Sequence, residues 1–204
     1  MRFKLFGHVK INVHDMGIDM LSLSGHKFHG PKGIGALYVR ENINFEKFMN
    51  GGHQERNKRA GTENTAGIVG IGKAAELAYN GLDEHIKKMK ELRNYYVEEV
   101  TKKIPNVKIN GAINARLPGN SNISFEGVNG NDLLLELDNV GICASSGSAC
   151  NSKDPAPSHV LKAIGLSDDL IKGALRVTFG EFNSTEDVDF LVENLERCVK
   201  KLRK

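Results

Sequence analysis

The chain has 204 residues, 40% of them hydrophobic and 26% charged, with a formal net charge of +3. That is apolar enough for one ordinary domain or two small ones sharing an interface, and it excludes disorder throughout. The small positive surplus does not point to nucleic acid. Apolar runs are broken by Gly or charge before about 18 residues, so no transmembrane helix is expected. MRFKLFGHVK at the start has no apolar stretch of signal-peptide length, and a soluble, cytoplasmic protein without a membrane partner is expected.

In chain order, residues 9–23 read as a short strand, a turn at Asp15-Met16-Gly17 and a second strand ending near Ser24. Ala36-Leu37-Tyr38-Val39, directly after glycines, predicts a buried strand. Residues 64–79 (NTAGIVGIGKAAELAY) predict a helix capped by Asn64 or Thr65, with small residues that allow close packing. A longer helix follows from Leu82 to Lys103, with Ile86, Met89, Leu92, Tyr96 and Val100 on one face and Pro105 as its stop. Asn80-Gly81 between the helices marks a boundary near residues 80–83.

The second half reads as α+β. Strands are expected at 107–109, 121–125, Val140 to Ala144 and Ala174 to Phe179. Helices are expected at 130–138, 157–164 and 184–202, the last with Val188, Leu191, Leu195, Cys198 and Leu202 as its apolar stripe. The first 80 residues would bury only a thin core alone and look like part of a larger sheet domain.

Glycine occurs 22 times, much of it clustered, and tryptophan is absent. The three cysteines, Cys143, Cys150 and Cys198, are an odd number without CxxC spacing, so neither a disulfide framework nor a cysteine zinc site is expected. The histidines His8, His14, His26 and His29 have no metal-ligand spacing either.

The densest chemistry lies in Ser24-Gly25-His26-Lys27-Phe28-His29-Gly30-Pro31-Lys32-Gly33-Ile34-Gly35. Backbone amides of such a turn can cradle a phosphate, with Lys or His adding charge; a basic surface turn is an equal alternative. Pro31 after Gly30 excludes a Walker A loop. Gly70-Ile71-Gly72-Lys73-Ala74-Ala75 matches GxGxxA only superficially, since helix rather than strand precedes it, and tight helix packing explains it better. Arg59 and Thr62 suggest an anion-contacting turn at a helix N-terminus. Cys143 belongs to an apolar run and reads as an inert core residue, as does Cys198 on its helix. Cys150 follows Ser-Ser-Gly-Ser-Ala, a stretch too small and polar to pack, so it is either a travelling thiol or an incidental loop cysteine. Arg176 inside an apolar strand needs a partner, a structural carboxylate or that of a substrate.

Ser24-Gly25-His26-Lys27 with GPKGIG resembles the cofactor-lysine segment of the pyridoxal-phosphate-dependent cysteine desulfurases. GGHQERNKRAGTEN (51–64), SSGSAC ending at Cys150, SHVLKAIG (158–165) and LRVTFGEFNSTEDVD (175–189) are similar to further segments of that family in the same order. The SSGSAC form resembles the NifS-like branch. The resemblance implies an α/β fold: part of a fold-type I pyridoxal-phosphate transferase, with 1–80 the C-terminal part of the cofactor-binding large domain and 81–204 the complete small C-terminal α+β domain carrying the cysteine loop.

The resemblance further implies that Lys27 holds pyridoxal phosphate covalently while Ser24 and His26 contact its phosphate. Thr62 would reach the phosphate in the neighbouring subunit of a homodimer. Arg176 would bind the α-carboxylate of L-cysteine, and Cys150 would accept its sulfur, releasing alanine and leaving a persulfide for an acceptor or iron-sulfur scaffold protein. The likeness covers the C-terminal half of the family. Met1 stands where the family has the Asp that pairs with the pyridinium nitrogen, Lys4 stands where it has a Gln, and Met1 to Phe6 does not resemble the family. The mismatch fits a truncated or split reading frame or an altered start alike, and the desulfurase reading includes an enzyme completed by a separate chain that carries the N-terminal half. The alternative is a truncated, inactive remnant that docks acceptor or scaffold proteins. A third reading keeps the cofactor and changes the reaction, and Cys150 argues against it.

Overall fold

The computed structural model describes residues 5–146 and 158–203. The chain divides into two compact units, residues 1–84 and 85–204.

In the first unit, Asn12 builds a turn by accepting backbone N–H bonds from His14 and Asp15 at 3.0 and 3.4 Å, and Gly17 at φ 61° closes it. Strand β1 (Met20–Ser24) then pairs antiparallel with β2 (Gly35–Val39), from Met20 opposite Val39 to Ser24 opposite Gly35. The expected turn is therefore present, but residues 9–11 form no strand. The Asn12 turn takes up the local backbone donors, and no other strand lies beside the segment among the described residues.

Strand β2 is not buried as its apolar sequence predicts: Ala36 and Leu37 are exposed, because the two-stranded ribbon has no third strand among the described residues. A single left-handed turn, α1 (Gln54–Asn57), follows, and then α2 (Thr65–Asn80). Asn64 caps α2 by accepting from Gly67 N at 3.0 Å, as the sequence predicts.

Helix α3 (Leu82–Lys103) leads into the second unit, where an antiparallel sheet is ordered β3 (Val107–Ile109), β4 (Asn120–Phe125), β5 (Ala174–Thr178). Helices α4 (Gly130–Asp138), α5 (His159–Ala163), α6 (Asp168–Lys172) and α7 (Thr185–Leu202) complete it. The apolar stripes expected on α3 and α7 meet in one core: Tyr96 and Val100 pack with Ile123, Phe125, Leu133, Leu137, Leu175, Val188, Val192 and Leu195. Tyr96 and Phe179 meet edge to face at 5.5 Å.

Val140 to Ala144 is not a strand. Gly141 at φ 80° turns the chain after α4, and only Ser145 bridges onto Arg176. Helix α6 is not legible in the sequence because five residues show no period. Ser167 caps it, accepting from Leu170 N at 3.5 Å. No helix among the described residues is long and apolar enough to cross a membrane.

α7 opens on a capping box: Asp187 N donates to Ser184 Oγ at 3.3 Å and Ser184 N donates to Asp187 Oδ2 at 3.0 Å. The Ser184 backbone N–H and Asn183 hold the Asp187 carboxyl below its usual value. Its contribution to stability is thus present above the ordinary carboxylate range and lost as pH falls through the lowered value. Asp187→Asn is expected to flatten the acid limb of a pH–stability profile. Leu133→Ala, in the core, is expected to cost about 2–5 kcal/mol in denaturant unfolding.

Candidate functional site

The loop joining β1 to β2 carries Ser24, His26 and Lys27. Residues Gly25–Phe28 form one 3-10 turn, ended by His29 in the left-handed region at φ 64°. Gly25 N donates to Ile34 O at 3.0 Å and Gly30 N donates to Gly25 O at 2.9 Å, so the loop is closed on itself. Phe28 is buried beneath it, its ring 4.8 Å from that of Phe6.

Glycine is required here by distance. A Cβ on Gly35 would lie 2.6 Å from Leu23 O, and one on Gly25 3.0 Å from Pro31 O. Helix α2 closes from the other side: a Cβ on Gly70 would lie 2.6 Å from Pro31 Cγ, and one on Gly30 3.3 Å from Ala74 Cβ. The GxGxxA-like run is thus helix packing, as expected from its context, and it braces the Lys27 turn.

Ser24 Oγ and His26 Nδ1 lie 3.0 Å apart. Lys27 is half-buried, and among the described residues no carboxylate pairs with its ammonium. Hydroxyl, imidazole and amine thus fall within four consecutive residues on a braced turn, a donor set that fits a phosphate and an aldehyde. Thr62 is exposed, three residues ahead of α2. Arg59 Nη1 donates to Ala60 O at 2.6 Å and Asn64 supplies the cap, so Arg59 and Thr62 precede the helix rather than forming its first turn.

In the other unit, Arg176 sits mid-β5, half-buried between Leu175 and Val177. Among the described residues no carboxylate lies within ion-pair distance of its guanidinium. Its backbone exchanges two hydrogen bonds with Ser145: Arg176 N to Ser145 O at 2.6 Å and Ser145 N to Arg176 O at 3.1 Å. Ser146 Oγ donates to Asn131 Oδ1 at 2.8 Å on α4. Residues 145 and 146 therefore pin the root of the segment leading to Cys150, which itself lies outside the described residues, as do Met1 and Lys4. This anchoring is not legible in the sequence, since nothing in a Ser-Ser pair announces which strand will receive it.

Cys143 is exposed, contrary to the core placement expected, because the turn at Gly141 replaces the predicted strand. Cys198 is buried, and burial pushes its thiol up from the ordinary value. Among the described residues no three His, Cys, Asp or Glu side chains converge as metal ligands.

The family profile named Aminotransferase class-V matches residues 4–191. The chain belongs to that family. It is 49% identical over 197 residues to "Cysteine desulfurase IscS" of Dictyoglomus turgidum, covering 97% of this chain and 50% of that protein. A solved structure titled as a NifS-like protein superposes with a TM-score of 0.87 at 31% identity, covering 98% of this chain and 51% of that one. Another, "SspA in complex with cysteine", gives 0.68 at 36% identity over 90% of this chain and 50% of that one. The chain spans about half the length of the relatives it matches. Its fold is thus about half of a fold-type I enzyme of the NifS-like kind, and the family is pyridoxal-phosphate-dependent.

Under native conditions a maleimide label is expected on Cys143 and not on Cys198, which should react only after unfolding; peptide mass spectrometry reads both. Gly70→Ala is expected to displace Pro31 and loosen the Lys27 turn, at about 1–3 kcal/mol by overpacking. Faster tryptic cleavage after Lys27 and Lys32 would register it.

Proposed function

We propose that this chain is the lysine- and cysteine-bearing half of a cysteine desulfurase. The observation that carries the reading is the braced turn holding Ser24, His26 and Lys27, with an amine that no carboxylate neutralises among the described residues. The relatives named cysteine desulfurase, and the related structure titled as a complex with cysteine, support the substrate.

When bound, pyridoxal phosphate supplies an electron sink that makes the Cα proton of an amino acid removable. Lys27 Nζ would hold the cofactor and, as a free amine, would carry that proton. Ser24 Oγ and His26 would hold its phosphate, and Thr62 would serve the phosphate of the neighbouring subunit in a homodimer. Arg176 receives the α-carboxylate of L-cysteine through its planar pair of N–H donors. The Cys150 thiolate attacks the substrate sulfur. An S–S bond forms, the substrate C–S bond breaks, and a proton returns to carbon, giving L-alanine and a Cys150 persulfide. That sulfur passes to an acceptor or iron-sulfur scaffold protein. The odd number of cysteines without disulfide spacing supports a cytoplasmic setting.

A separate chain carrying the N-terminal half would supply the Asp that Met1 replaces. The exposure of Leu37, Val69, Leu77 and Tyr79 on the first unit supports such a partner. A second reading is favoured by the unequal cores. The second unit is well packed and the first thin, as in a remnant that keeps only a docking surface for acceptor proteins.

Absorbance spectroscopy separates the two. With added pyridoxal phosphate, alone or mixed with the N-terminal half, the chain is expected to show a protein-bound cofactor band that Lys27→Ala lacks. Alanine release from L-cysteine should accompany it, with a raised KM in Arg176→Ala and no persulfide in Cys150→Ser. Absence of the band under both conditions overturns the desulfurase reading and leaves the docking one.

A further inference from the structure

A cavity of about 170 Å³ opens in the second unit between α3, β3 and the segment that follows β3. Arg93, Asn94, Val97 and Glu98 of α3 line it, with Ile109, Ile113 and Arg116 opposite. None of these residues belongs to the proposed cofactor or substrate machinery.

Arg93 and Arg116 both line this space, and no carboxylate among the described residues pairs with either. Arg93 retains only 8% of its exposure. Its Nε and Nη2 both donate to Asn94 Oδ1, at 3.1 and 2.7 Å. Arg116 Nε donates to Ala112 O at 2.7 Å and its Nη2 to Asn110 O at 2.8 Å. Both groups are thus oriented by neutral acceptors, and each keeps Nη1 without a hydrogen bond among the described residues. No carboxylate among those residues lies within ion-pair distance of either. Burial and the Arg93 charge push the Arg116 guanidinium down from its usual value.

Burying a charge without a partner is costly, and natural structures supply the partner from the chain or from a ligand. Here the missing half is negative. Most of the remaining lining is apolar: the side chains of Val97 on α3 and of Ile109 and Ile113 offer no hydrogen bond to a highly hydrated ion. Glu98, exposed and part of the same lining, adds a negative charge that disfavours any anion carrying more than one. The volume holds about five or six water-sized groups.

We propose that this cavity binds a small monocarboxylate, its oxygens taken by Arg93 and Arg116 and its short apolar stem laid on Val97, Ile109 and Ile113. The same chemistry can come from a free metabolite or from a glutamate side chain of a partner protein. The site is independent of the desulfurase reading, and a failed cofactor spectrum leaves it intact.

The test titrates the full chain with butanoate, with its neutral isostere butanamide, and with N-acetylglutamate amide, following Arg Nε–H signals by NMR. Butanoate is expected to give saturable shifts at Arg93 and Arg116, and butanamide none. Arg116→Gln, checked for folding by circular dichroism, should weaken butanoate at least about tenfold, the size of a lost charge-assisted hydrogen bond. Tighter binding of N-acetylglutamate amide assigns the site to an acidic side chain of a partner; tighter binding of butanoate assigns it to a free carboxylate. Equal response to butanamide, or titration that never saturates, overturns the proposal. The isostere comparison is made on the unaltered chain, so it decides the matter even if Arg116→Gln fails to fold.

Discussion

The Lys27 turn depends on four glycines that let backbone, Pro31 and helix α2 approach more closely than a Cβ ordinarily allows. Gly35 meets Leu23 O, Gly25 meets Pro31 O, Gly30 meets Ala74 and Gly70 meets Pro31, each within 3.3 Å of an added Cβ. Overpacking at one such point costs about 1–3 kcal/mol, a large part of a marginal total near 5–15 kcal/mol. The reward is position. Ser24, His26 and Lys27 are held by a closed loop rather than by a flexible one, and a chemical site needs its groups held before the ligand arrives.

The two units are built to different standards. The second gathers helices α3, α4 and α7 over three strands into a continuous core with Tyr96, Phe125 and Leu133 fully buried. That rigidity is what lets β5 hold Arg176 and, through Ser145, the root of the cysteine segment. The first unit buries Leu21, Phe28, Ala60 and Leu82 while leaving Val69 and Tyr79 each 72% exposed. Apolar surface of that extent on a helix bearing a site's brace is a surface that seeks cover.

Charge follows the same division between what the chain satisfies for itself and what it leaves for others. Glu99 and Lys103 meet at 2.9 Å, and the lysine holds the carboxyl below its usual value. This is an internal pair with nothing left to offer. Arg93 and Arg116 are the opposite case, cations oriented by neutral acceptors and, like Arg176, matched by no carboxylate among the described residues. Orientation without neutralisation is the arrangement expected of a group kept for a ligand.

Local pattern alone determined the long helices, the Asn64 cap, the apolar stripes of α3 and α7, and strands β3, β4 and β5, because periodicity and capping chemistry act within a few residues of their cause. The motif around Lys27 and the cysteine loop were legible too, as resemblance. Tertiary structure decided the rest. It left β2 uncovered, turned the chain at Gly141 so that Cys143 faces solvent, tied Ser145 to Arg176, and set Arg93 beside Arg116 across a cavity. Each of these depends on which distant segment lies alongside, and residues far apart in the chain carry no mark of the neighbour they will meet until the sheet and the long helix have closed around them.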